Sequence, residues 1–144
     1  MLRVQPLELG QHATGRYKVI ARRNTQQRRK IREVFEESGR PLNVEEVHAM
    51  VRESLPGLGI ATVYRAINDL VEEHWLKPVE LPGRNNSYEL SNLGHHHHFI
   101  CDECDKVFDL HGCPGQMKDL VPEGFKAKTH EITIYGLCEH CNED

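Results

Sequence analysis

The chain has 144 residues, 38% of them hydrophobic, with five cysteines and ten histidines, which is material for two small lobes and not for a single large core. Its formal net charge of -4 is unevenly spread: residues 1–40 carry ten Lys and Arg against four Asp and Glu, a balance of +6, while the remaining 104 residues total -10. The opening residues lack the apolar stretch of a secretory signal and no later apolar run approaches the roughly 18 residues of a membrane span, so a cytoplasmic protein without membrane contact is expected.

In chain order, an irregular start precedes Thr25, which is expected to N-cap a helix with Ile31, Val34 and Phe35 on one face and Arg28, Arg29, Lys30 and Arg32 on another, ending near Gly39. Asn43 and Glu46 have the spacing of a capping box ahead of Val47, Met50 and Val51, and the turn at Pro56 and Gly57 should stop that second helix. Residues 60–76 repeat the helical period through Val63, Ile67, Leu70 and Val71, leaving Thr62, Tyr64, Arg65 and Asn68 on other faces. Extended segments at 79–81 and 87–90 flank turn residues at 82–86 and read as a hairpin.

Three helices and a hairpin form a winged helix-turn-helix, whose third helix enters the major groove. Thr62, Tyr64 and Arg65 would then face bases and phosphates, and Arg22, Arg23 and Arg28 would add sequence-independent attraction to double-stranded DNA. The competing reading is a small helical domain whose charges are only solvated faces.

The second half changes period. Residues 94–110 read as two strands around a cysteine knuckle, 114–121 as a short helix, and 126–135 as a strand with His130, Ile132 and Ile134 on one face. A short hinge is expected at 91–94, and the fold class is α+β.

Cys101 and Cys104 form one Cys-x-x-Cys pair, and Cys138 and Cys141 a second after thirty-three intervening residues. In a reducing compartment, four thiolates suit one closed tetrahedral structural zinc site, with two disulfides or two redox motifs as alternatives. Cys113 is left over. The run "HHHH" at 95–98 demands a separate account, because neighbouring strand side chains point to opposite faces. His96 and His98 can meet Glu89 and Asp109 in a mixed nitrogen and oxygen site, while His95 and His97 can be joined by His130. Such sets suit exchangeable Fe(II), Mn(II) or Zn(II). No His-Glu-x-x-His hydrolase motif or zinc-deaminase signature is present, so no enzyme is expected.

Together, "TQQRRKI" (25–31), "GIATVYRAINDL" (59–70), "HHHHFICDECDKVFDL" (95–110) and "THEITIYGLCEHC" (129–141) resemble the ferric uptake regulator family over nearly the whole chain. The resemblance implies a winged-helix DNA-binding domain at 1–90, followed by a small α/β metal-binding dimerisation domain at 91–144. It implies a homodimeric repressor that binds operator DNA when loaded with a regulatory divalent metal, Fe(II) or Zn(II) with Mn(II) a further candidate. It also implies structural zinc at the four paired cysteines, a sensor resembling Glu89, His96 and His98 with Asp109 nearby, and a second mixed site resembling His95, His97 and His130. Two positions depart from the family pattern: Arg40 and Pro41 stand where a sensor histidine usually precedes the second helix, so that His12 is a substitute to consider, and Gln116 stands about where a second-site carboxylate is expected. The rival from another class is a zinc-stapled metal-storage or delivery protein that does not bind DNA.

Overall fold

A computed structural model describes residues 14–115 and 117–142, with side chains from Arg23 onward. Of the sequence expectations, His12, Gln116 and the side chain of Arg22 lie outside the described residues.

Helix α1 spans Thr14–Ser38, twelve residues longer at its start than the N-cap at Thr25 would allow. Thr25 is a good cap, but the preceding residues 16–23 contain no proline and continue the same helix, so propagation wins over a local stop signal. Gly39 follows in a left-handed conformation (φ 62°), the backbone geometry that ends helices at lowest cost when the residue lacks a Cβ. Helix α2 spans Val44–Arg52 and opens on a complete capping box: Glu46 N–H donates to Asn43 Oδ1 at 2.8 Å and Asn43 N–H donates to Glu46 Oε2 at 3.0 Å. Its buried stripe is Val44, Val47 and Val51, with Met50 left partly in solvent.

Helix α3 spans Ile60–Glu72 and buries Val63, Ile67 and Leu70. It stops four residues short of the sequence expectation. His74 takes a left-handed conformation (φ 59°), so that Trp75 N–H reaches Leu70 O and His74 N–H reaches Val71 O, both at 2.9 Å. This is the double bond pattern of a glycine-type helix cap made without glycine, which is why the residue string carries no stop signal. The freed residues start strand β1, Leu76–Val79, earlier than expected, and it pairs antiparallel with β2, Ser87–Leu90, in the register Leu76 to Leu90 and Lys77 to Glu89. Leu42 and Tyr88 exchange backbone bonds at 2.8 and 3.0 Å and tie the start of α2 to this hairpin. Ile31, Phe35, Leu42, Val47, Val63, Ile67, Leu70 and Leu76 close one core beneath the three helices.

The second sheet has β3 (His97–Cys101) at its centre, β4 (Val107–Leu110) antiparallel on one side and β5 (Thr133–Gly136) parallel on the other. Strand β5 is much shorter than residues 126–135. The alternation there is real, but β3 begins only at His97 and pairs His98 with Thr133, so the residues ahead of Ile132 have no ladder to join and His130 sits outside the strand. Within 114–121 a single 3-10 turn forms at Met117–Leu120.

The hairpin also joins the two sheets. Val79 and Leu81 pack with Ile100 and Val107, Arg84 pairs with Asp102 at 3.0 Å and Asp105 at 2.5 Å, and the Arg40 guanidinium lies 5.6 Å from the Phe108 ring centroid.

Candidate metal centres and nucleic-acid face

The cysteine knuckles are built by the sheet. Parallel pairing of Cys101 with Gly136 brings the residues just after β5 beside the end of β3, where Asp102 N–H donates to Gly136 O at 2.8 Å and Cys138 N–H to Cys101 Sγ at 3.4 Å. A tight turn returns Asp105 N–H to Cys101 O at 3.1 Å, swinging Cys104 back over the same point. All four cysteines are free thiols, their sulfurs lie within 4.8 Å of one another, and Cys104 Sγ is 3.8 Å from Cys138 Sγ. That separation is far beyond the ~2.05 Å of a disulfide. It equals the ~3.8 Å edge of a tetrahedron with zinc–sulfur bonds of about 2.3 Å. Backbone N–H groups of Cys104 and Cys138 hold the Cys101 thiol down at about 6, whereas burial, then the neighbouring thiols, push Cys141 up to about 12. Four adjacent sulfurs cannot all ionise unaided, and a divalent cation is the partner that would let them.

The histidine run divides by face. On one side of β3, His96 and His98 place their Nε2 atoms 3.1 and 2.9 Å from the same oxygen, Glu89 Oε2, and 3.6 and 3.7 Å from Asp109 Oδ1. Glu89 comes from β2 of the helical lobe, His98 from β3 of the second sheet, His96 from the residue immediately before that strand, and Asp109 from β4 directly opposite His98. Glu89 is 3% exposed. Burial opposes its charge, but hydrogen bonds from His98, Lys77 and His96 outweigh it and hold the carboxyl at about 2. Lys77 Nζ takes the other oxygen at 3.1 Å. Asp109 differs: burial raises its pKa, and its Oδ1 is buried with no hydrogen-bond partner. A buried acceptor left orphaned beside two imidazoles is costly unless something cationic shares the space.

On the opposite side, His95, His97 and His130 converge. His95 Nε2 is 3.3 Å from His130 Nε2, and the His97 ring centroid is 4.6 Å from that of His95 and 5.0 Å from that of His130. His97 is buried, with Nδ1 accepting Ile132 N–H at 3.2 Å and Nε2 without any partner. Burial first, and then the surrounding histidines, lower its pKa. The structure adds Cys113 to this group, with Sγ 3.1 Å from His130 Nε2. Sequence spacing leaves Cys113 outside both Cys-x-x-Cys pairs and open as a ligand, since nothing in "LHGCPG" announces that the chain leaving β4 doubles back to His130.

Helix α3 turns Tyr64 and Arg65 to solvent, Tyr64 being half exposed, and Arg65 Nη2 lies 3.4 Å from Thr62 Oγ1. Arg23, Arg28, Thr62 and Arg65 line one groove between α1 and the start of α3, whereas Tyr64 lines a second beside Arg84, Asn85 and Asn86 of the hairpin turn. Several basic groups are engaged internally: Arg28 pairs with Glu73, Arg29 and Lys30 with Glu33, and Arg32 stacks 4.5 Å over the Trp75 ring.

A winged-helix lobe with an exposed third helix, tied through a histidine and carboxylate cluster to a sheet with a cysteine knuckle, defines a metal-responsive DNA-binding regulator. The chain belongs to the ferric uptake regulator family, which residues 20–135 match. It is 34% identical over 108 residues to the ferric uptake regulation protein of Haemophilus influenzae, covering 71% of this chain and 74% of that one. It is 32% identical over 136 residues to the Campylobacter jejuni protein of the same name, covering 88% and 87%. Among solved structures, the Helicobacter pylori ferric uptake regulator, described as having three functional metal-binding sites, superposes with a TM-score of 0.64 at 25% identity, over 98% of this chain and 99% of that one.

Proposed function

We propose that this protein is a transcriptional repressor that binds operator DNA as a homodimer, with structural zinc at Cys101, Cys104, Cys138 and Cys141 and a regulatory divalent ion at Glu89, His96, His98 and Asp109. The observation that carries this reading is the origin of the second group: Glu89 belongs to the hairpin of the helical lobe, whereas His98 and Asp109 belong to the second sheet and His96 immediately precedes its strand β3. A divalent cation there would supply the positive charge that lets two buried carboxylates and two imidazoles share one point.

The residues then act by linkage. Drawing Glu89 toward His96 and His98 fixes the helical lobe against the sheet, and so fixes the direction in which Tyr64, Arg65 and Thr62 project from α3. If DNA binds that arrangement better than others, metal and operator raise each other's affinity by the same factor. Arg23 and Arg28 line the same groove. The second sheet supports the homodimer, since its edge strand β5 exposes Ile134 and Tyr135, and Leu137, next in the chain, is exposed as well. On this reading residues 1–90 and 91–144 divide the work, DNA contact in the first and dimerisation in the second. Among the described residues no helix is long and apolar enough to cross a membrane, which accords with action on DNA in the cytoplasm.

The donor set leaves Fe(II), Zn(II) and Mn(II) as regulatory ions. The experiment is operator binding by chelated protein against protein loaded with each of the three in turn, with metal content counted per chain. Metal-stimulated binding to DNA is the expected result; three ions that leave DNA affinity unchanged while being held tightly would favour a storage protein instead.

A further inference from the structure

The third cluster differs from the hinge cluster in its donors. It contains three imidazoles and one thiol, and no carboxylate among the described residues. We propose that His95, His97, His130 and Cys113 form a four-coordinate zinc site in which Cys113 is the thiolate ligand. This rests on reading the His95, His97 and His130 group as a metal site, and deepens it by naming the fourth ligand and the class of metal.

The spacing fits. Zinc–nitrogen bonds of about 2.0–2.1 Å and a zinc–sulfur bond of about 2.3 Å give tetrahedral edges of roughly 3.3–3.6 Å. The structure has 3.3 Å between His95 Nε2 and His130 Nε2, on the nitrogen–nitrogen edge, and 3.1 Å between Cys113 Sγ and His130 Nε2, a few tenths of an ångström short of the nitrogen–sulfur edge, and the four donor atoms all lie within 4.8 Å of one another. His130 Nε2 is thus approached by two groups at once, although one ring nitrogen offers either a single proton or a single lone pair. One shared cation satisfies all three.

His97 supplies an independent sign, since its ring is 2% exposed and its Nε2 has no hydrogen-bond partner. Ligation through that atom would require the ring proton to move to Nδ1, in exchange for the 3.2 Å hydrogen bond that Nδ1 accepts from Ile132 N–H. Binding also releases the Cys113 thiol proton to solvent. A thiolate in place of a carboxylate makes the donor set softer, which favours Zn(II) over Mn(II) or Fe(II) and separates this site chemically from the hinge.

The test uses full-length protein that retains its cysteine-knuckle zinc, stripped of weaker metals by a chelator and titrated with Co(II). Wild type should take up two further Co(II) per chain, one of them with the intense visible bands of a tetrahedral ion and a near-ultraviolet sulfur-to-cobalt charge-transfer band. Cys113→Ser should lose that band and weaken one Co(II) by more than the roughly 10-fold that loss of even an outer-shell partner costs, leaving the other unchanged. Cys113→Asp should recover affinity without the band. Zn(II) should also protect Cys113 from alkylation in wild type. A charge-transfer band that survives in Cys113→Ser would overturn the assignment. A second Co(II) bound by wild type with no such band would remove the thiolate and leave the metal site standing. Uptake of one Co(II) per chain would overturn both.

Discussion

Glu89 Oε2 and His98 Nε2 meet at 2.9 Å across the junction of the two lobes, and His96 Nε2 reaches the same oxygen at 3.1 Å. The contact is bracketed by two further constraints. Lys77 holds the second Glu89 oxygen within the hairpin, and Asp109 stands opposite His98 on the neighbouring strand. A buried carboxylate shared in this way has few alternative positions, so the junction is a place where a small change in charge selects between lobe arrangements.

The cysteine knuckle is expected to hold zinc through every purification step short of strong chelation. Cys138→Ser should lose that zinc, expose the remaining thiols to alkylating reagents and lower thermal stability, because the segment after β5 meets the end of β3 through the Cys138 N–H to Cys101 Sγ bond and the four-sulfur cluster. Zinc content and thiol titration decide it: four freely reactive thiols in native wild-type protein would contradict the four-thiolate site.

Ile67 is fully buried between α3, α1 and the hairpin. Ile67→Ala should destabilise the helical lobe by about 2–5 kcal/mol. Denaturant unfolding followed by circular dichroism reads this directly. A loss well under about 2 kcal/mol, the lower bound for such truncations, would mean that the core reorganises around α3.

Arg65 projects from the exposed side of the same helix, and its side chain bonds to Thr62, its neighbour one turn earlier. Arg65→Ala in metal-loaded protein should weaken operator binding by about 1–3 kcal/mol if the guanidinium reads a base edge. If it contacts phosphate instead, the salt-dependence slope should fall by about 0.9. Titration at several salt concentrations distinguishes the two. Unchanged affinity together with an unchanged slope would take α3 out of the groove.

What could be read from the residue string followed from local rules. The capping box at Asn43 and Glu46, the apolar period of α3 and the opposite faces of His96 and His97 each depend on a few adjacent residues, and each appears in the structure. The misses came from tertiary pairing. Strand β5 begins only where β3 begins to offer it a partner, and α3 ends on a left-handed histidine where the residue string carries no stop signal. Cys113 enters its cluster by the path of a loop. Arg84, an ordinary turn residue by sequence, bridges to Asp102 and Asp105 and fastens the hairpin to the knuckle.

The division of the histidine run makes the sharpest functional prediction. His96 shares Glu89 with His98 across the lobe junction, whereas His97 faces His95 and His130 within the second sheet. A ligand shifts a conformational equilibrium only by the difference in its affinity for the two states. An ion bound between lobes has such a difference, and one bound within a single lobe mainly stabilises that lobe. His96→Ala should therefore abolish metal-stimulated operator binding with the fold intact. His97→Ala, which removes a buried ring, should lower the melting temperature more than it lowers DNA affinity. Measuring both quantities on both variants tests the division. Should His97→Ala silence DNA binding while His96→Ala only softens the protein, the sensor lies on the other face of β3.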